Sequence, residues 1–140
     1  MKKVILIFTA LFLFGCQQEA APDPNKERII AKNKQTSVIN EITLITQAAQ
    51  KIEKEGRGME LYRNSPKAES QRECNSVMES EQKDIQNLAD RIAKLPEEKS
   101  VILMPIPETL NQCVACTKTA MESCVKARAS INEAIKKLFP

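Results

Sequence analysis

The sequence predicts an all-α fold: three long helices in an up-down-up bundle, stapled by disulfides, behind a signal peptide and a tether. Three observations carry that expectation. Apolar residues recur three and four apart over long stretches, no useful run alternates with a period of two, and proline or glycine falls between the periodic stretches.

The chain opens with Lys2 and Lys3, then an apolar run from Val4 to Phe14 in which only Thr9 is polar. A permanent membrane span needs about 20 apolar residues. The run therefore reads as the core of a secretory signal covering residues 1–15. It closes on Leu13-Phe14-Gly15-Cys16. This tetrapeptide resembles the lipobox of bacterial lipoproteins, with Phe14 bulkier than is usual at its place. The resemblance implies diacylglycerol on the Cys16 sulfur, cleavage after Gly15 and then N-acylation. An ordinary signal peptide cut after Gly15 is the alternative. Gln17 stands where aspartate marks inner-membrane retention, so the resemblance also implies an outer-membrane lipoprotein whose domain faces the periplasm. Two or three acyl chains exceed the single chain that gives only marginal binding, so such an anchor is durable.

The expected mature chain, residues 16–140, has the length of one domain. Without Lys2 and Lys3 it carries 19 basic and 18 acidic side chains. That near-neutral, interspersed pattern makes no electrostatic case for nucleic acid. Histidine is absent, which removes the commonest general base and metal ligand near neutral pH. Tyr62 and Phe139 are the only aromatics after the signal. The core must be aliphatic and thin, and small exported domains of that kind commonly lean on disulfides.

Residues 16–26 form the expected tether, polar and interrupted by Pro22 and Pro24, and residues 27–140 the helical domain. The first helix runs to about Glu55 on the stripe Ala31, Val38, Ile42, Ile45, Ala49 and Ile52, with Gly56 as its C-terminal stop. A loop from Gly56 to Asn64 follows; with Met59, Leu61 and Tyr62 it is a second candidate partner surface, and Tyr62 reads as the anchor of the loop. Ser65-Pro66 opens the second helix, whose stripe is Cys74, Met78, Ile85, Leu88, Ile92 and Leu95, with polar Glu81 in the missing slot and Pro96 as terminator. The third helix starts near Pro107 and continues on Leu110, Val114, Thr117, Met121, Cys124, Arg128, Ile131, Ile135 and Leu138. A ridge of Cys113, Ala120, Ala127 and Ala134 beside that stripe permits close helix approach.

Four cysteines remain after Cys16, and the even count favours two bridges. On a continuous third helix, Cys116 and Cys124 are about 12 Å apart along the axis. Cys113 is farther still from Cys124, and a disulfide needs Cα atoms within about 7 Å. The pairing expected is therefore Cys74–Cys124 with Cys113–Cys116. A late start for the third helix, signalled by Thr117 and Thr119, would allow Cys74–Cys113 with Cys116–Cys124 instead. Cys113-Val114-Ala115-Cys116 also matches the C-x-x-C of thiol–disulfide enzymes. It lacks the βαβ context of that class, the histidine of haem attachment and the second C-x-x-C of a zinc site.

Val101 to Pro107 is apolar and broken by Pro105 and Pro107. Val101, Ile102, Leu103, Met104 and Ile106 are the candidate partner-binding residues, because such a run is costly to leave in water. The competing reading has the segment fold over the open end of the helices and cap the core. No paired carboxylates, activated nucleophile, phosphate loop or metal-ligand set stands out, and no cofactor or small-molecule substrate is expected. Charges at 51–55 and 97–99 read as solubilising.

The functional expectation is a non-catalytic binding or assembly module, held on a membrane through Cys16 and engaging a protein of an envelope complex. In signal, tether, size and helical cysteine-bridged body the chain is similar to the helical pilotins of type II secretion. That resemblance implies a partner helix in an apolar groove between helices. The alternatives are a periplasmic thiol–disulfide protein using Cys113 and Cys116, and an entry-exclusion, immunity or structural envelope lipoprotein.

Overall fold

Four helices build the core, and two short ones join them. A computed structural model describes residues 23–139. The expected signal, Cys16 and the tether as far as Pro22 lie outside the described residues. Helix α1 covers Pro24–Gly58, α2 Glu60–Arg63, α3 Ala68–Ile92, α4 Glu97–Leu103, α5 Pro105–Val114 and α6 Ala120–Leu138. The last residues of the expected tether are helical. Asp23 caps α1 by accepting a hydrogen bond from the Asn25 amide (2.9 Å), and Pro24 occupies the first turn, where a missing N–H costs nothing.

Side-chain pairs fix the helix directions. Arg91, at the end of α3, meets Glu41 on α1 at 2.7 Å, and Glu81 near the middle of α3 feels Lys51 and Glu55 farther along α1. These two helices are antiparallel. Cys113 at the end of α5 lies against Gly56 at the end of α1, so α5 runs parallel to α1. Arg128 on α6 reaches Glu53 on α1, and Cys124 is bonded to Cys113, so α6 runs back. The bundle is up-down-up-down.

The expected three-helix, up-down-up bundle is thus corrected to four. The stripe read as one helix from Pro107 to Leu138 is two antiparallel helices, broken where Ala115 turns extended (φ −63°, ψ 145°) and residues 115–119 reverse the chain. The spacing concealed this because the four-three pattern stays in phase across the break. Leu110 and Val114 on α5, and Cys124 and Ile131 on α6, are all buried in the same core. The small-residue ridge does what its composition predicts: Cys113, Ala120, Ala127 and Ala134 are all buried. Helices α5 and α6 make the most extensive contact in the molecule.

Two further expectations fail locally. Gly56 does not stop α1, which continues to Gly58, and the expected loop 56–64 is helical through α2. Met59 is buried there, whereas Leu61 is 83% exposed and Tyr62 is also exposed. Helix α5 begins at Pro105 rather than Pro107, again with proline in the first turn.

Candidate partner-binding groove

The reversal at 115–119 overturns the expected disulfides. The bridges are Cys74–Cys116, with Cα atoms 5.9 Å apart, and Cys113–Cys124, at 4.4 Å. Neither Cys74–Cys124 with Cys113–Cys116 nor the late-start alternative forms. The elimination of Cys113–Cys124 assumed a continuous helix, on which eleven residues span about 16 Å. Once the chain doubles back after Val114, those residues face each other across the α5–α6 hairpin. Cys113 and Cys116 are thus each bonded to a different helix and not to one another. Cys74, Cys113 and Cys124 are fully buried.

Around these bridges the ends of four helices are locked together. Arg63, buried and from a segment expected to be loop, donates from Nη2 to the Cys113 carbonyl (2.6 Å) and from Nε to the Ala115 carbonyl (2.8 Å). It caps the C-terminus of α5, where a cation also complements the helix dipole. Burial lowers the pKa of its guanidinium, with the Glu60 charge opposing. Glu53, expected among the solubilising charges, is buried as well. Its carboxylate contacts Arg57 Nε at 2.8 Å and Arg128 Nη2 at 3.2 Å, tying α1 to α6. Gly56 lies so close to α5 that a Cβ there would stand 2.5 Å from Cys113 Sγ and 3.2 Å from the Cys113 oxygen.

Beside this locked end runs a cleft of about 580 Å³ between α3, α4 and α5. Helix α3 contributes Ala89 and Ile92, with Ala93 just after it, and α5 contributes Pro107, Asn111 and Gln112, with Ala115 at the turn that follows. Met104 stands at the α4–α5 junction, 64% exposed, and Glu108 adds one carboxylate. The alanines keep the facing helix surfaces small, so the cleft stays open where larger side chains would fill it. Its size and mostly apolar lining, with a few polar groups, are those of a ligand or peptide site.

The five residues proposed from sequence separate onto different surfaces. Leu103 and Ile106 are fully buried in the core, Ile106 as part of α5 itself. Met104 lines the groove. Val101, 62% exposed, sits with Ile102 and the edge of Ile106 in a smaller cleft against Ala134 and Lys137 of α6. Helical periodicity explains the split: 103, 106 and 110 recur on the inward face and leave 101 and 104 outside. The α3 wall of the groove was missed from sequence, although Ala89 and Ala93, four apart on one face, are its signal.

Among the described residues no group of three or more His, Cys, Asp and Glu side chains could hold a metal ion, and no helix is long and apolar enough to cross a membrane. No family model, curated protein or solved structure matches the chain.

Proposed function

We propose that the chain is an outer-membrane-anchored periplasmic lipoprotein, held by lipid on Cys16, that acts as a non-catalytic binding or assembly module. The groove between α3, α4 and α5 takes an apolar helical segment of a protein in an envelope complex. The specific reading is a pilotin-like assembly factor for a secretin of type II secretion. The observation that carries the proposal is the groove: an open, mostly apolar cleft with Ala89 and Ala93 on its α3 side and Ala115 where the chain leaves α5, next to the disulfide-linked turn. Such a surface suits the helix-in-groove mode, in which anchor residues spaced three and four apart seat in a preformed channel.

The test is capture from detergent-solubilised envelopes by the lipidated protein, with Ala93→Glu as the groove-blocked variant. Recovery of a secretin or another envelope-assembly subunit by the wild type, lost with Ala93→Glu at unchanged Tm, is the expected result. A partner captured equally by both proteins would place binding elsewhere and refute the groove. The anchor is tested separately. Cys16→Ser should release the protein or block its maturation, and a processed Ser variant that stays on the membrane would contradict the lipid reading.

A further inference from the structure

The first fourteen residues of α1, 24–37, extend from the bundle as an arm about 21 Å long. Every residue from Asp23 to Ser37 is exposed, and the helix first meets the core at Val38. A lone helix of that length is marginal in water, so the arm gains most from a surface that supports it.

Its charge points to the kind of surface. Residues 38–140 carry fifteen Lys and Arg against fifteen Asp and Glu, so the body is formally neutral. The arm carries Lys26, Arg28, Lys32 and Lys34 against Glu27 alone. Its apolar residues are equally specific in placement. Ile29 and Ile30 are 60% and 59% exposed. On the helix Ile29 lies about 170° and Ile30 about 90° from the seam of Val38, Ile42, Ile45 and Ala49 that enters the core, and both precede the point where α1 meets the bundle. The bundle therefore has no use for them. Lys26 falls between them on the helix surface, with Lys32 and Lys34 on either flank. A helical partner would need apolar residues continuing from Ile30 at 33, 34 and 37, but those positions are Asn, Lys and Ser.

We propose that the arm lies along an anionic phospholipid bilayer. Ile29 and Ile30 enter the headgroup layer, while Lys26, Lys32 and Lys34 extend their stems over apolar surface and place their ammonium groups among the phosphates. This goes beyond the anchor reading and does not depend on lipid at Cys16. It gives the body a second foothold on whatever anionic surface it meets.

Residues 17–140 serve for the test, because every buried core residue lies between Ile42 and Ala134 and both disulfides are retained. Binding is measured by flotation with vesicles containing about one-third phosphatidylglycerol in phosphatidylcholine, and with phosphatidylcholine alone. The expected result is binding to the anionic vesicles only, lost at ~0.5 M salt. Bound protein should show slowed amide exchange within 24–37. Each lysine contributes roughly fivefold near such a surface, so Lys32→Glu with Lys34→Glu should weaken binding by ~25-fold or more at unchanged Tm. Equal binding to both vesicles, indifference to the charge reversals, or no exchange protection in the arm would overturn the proposal. So would self-association in solution that the same reversals abolish. None of these outcomes bears on Cys16, whose test reads retention of the lipidated chain.

Discussion

Replacing Gly56 by alanine sets two effects of known sign against each other. Gly56 sits within α1 at an ordinary helical conformation, and no described glycine has positive φ, so helix propensity alone favours alanine by about 1 kcal/mol. Against that, the new methyl would stand 2.5 Å from Cys113 Sγ and 3.2 Å from the Cys113 carbonyl oxygen. Neither neighbour yields easily. The sulfur is bonded to Cys124, and the oxygen is held by Arg63 at 2.6 Å. Overpacking a tight core typically costs 1–3 kcal/mol, and a site fixed on both sides belongs at or above the top of that range. The expected net loss is about 2 kcal/mol. For the 117 described residues, unfolding entropy makes each kcal/mol worth about 4 °C, so Tm should fall by about 8 °C. Gly58, exposed with nothing within 4 Å of its would-be Cβ, is the control: Gly58→Ala should raise Tm by about 2–4 °C. Circular-dichroism melts decide both. In a Cys113→Ala, Cys124→Ala background the clash with sulfur is gone, and Gly56→Ala should lose most of its cost, a coupling that a double-mutant cycle reads directly. A Gly56→Ala protein as stable as wild type would refute the close-approach argument, and a penalty that survives removal of the bridge would assign the cost to the Cys113 carbonyl instead of the sulfur.

Further expectations follow from the disulfides, Arg63 and the buried carboxylates. Tryptic digestion without reduction should join residues 73–83, 100–118 and 119–126 into one species through Cys74–Cys116 and Cys113–Cys124, whereas a Cys74–Cys124 pairing would leave 100–118 separate. With loops of 42 and 11 residues, the two bridges contribute about 4 and 3 kcal/mol by chain entropy, so reduction should lower Tm steeply. Arg63→Ala should cost about 2–3 kcal/mol in urea unfolding because two carbonyls lose a charged donor, and Arg63→Lys should recover only part of it, since an ammonium lacks the fork. Glu81 is held above the ordinary carboxylate range by burial, then by Asp84 and Glu55, with Lys51 opposing. Its folded form binds the proton more tightly than the unfolded chain does. The destabilisation it causes is therefore present at neutral pH, is relieved as pH falls through the raised folded pKa, and is gone below the unfolded value. Glu81→Gln should raise stability at ~pH 7 by about 1 kcal/mol and remove that part of the pH dependence in melts. Glu41, lowered chiefly by its hydrogen bond from Arg91, works in the opposite sense and loses its contribution as pH falls through its lowered folded pKa.

The core was legible because burial follows period. Ile42, Ile45, Ala49 and Ile52 on α1, and Cys74, Ile85, Leu88, Ile92 and Leu95 along α3 and just after it, all lie where the stripes put them. Ala31 does not, because the stripe runs on past the point where the bundle ends and α1 becomes a free arm. What periodicity could not show was the reversal between Val114 and Ala120. Two helices facing the same core keep the same phase, and a five-residue turn between them is nearly invisible to spacing. Thr117 and Thr119 were the available signal, and they pointed to a late helix start rather than to an earlier helix ending at Val114. The pairing follows that reversal: on a continuous helix Cys113 and Cys124 stand too far apart to bond, and across the α5–α6 hairpin they meet. Arg63 and Glu53 were missed for another reason. A charged side chain off the apolar stripe reads as solvated until a carbonyl or an opposite charge on another helix is known to meet it.

The placement of these constraints decides how the groove can work. Cys74–Cys116 ties α3 to the turn that follows α5, and Arg63 fixes the last carbonyls of α5 from the other side. The start of α3 is thus tied to the end of α5 next to Ala115, about 22 Å along α3 from Ala89. The third wall is held far less. Helix α4 has seven residues and only Leu103 in the core, and Met104 at its end is exposed over the groove. A segment larger than the present cleft can be admitted by displacement of α4 at the cost of buried Leu103 and half-buried Ile102, whereas α3 stays covalently joined to the turn after α5 at its Cys74 end. Local opening free energy follows the number of buried contacts an element makes, so amide exchange in α4 should be faster than in α3 or α5. Partner binding in the groove should slow exchange at α4 first. Protection that instead appeared in α3 with α4 unchanged would mean that the groove is rigid on all sides and admits only what already fits.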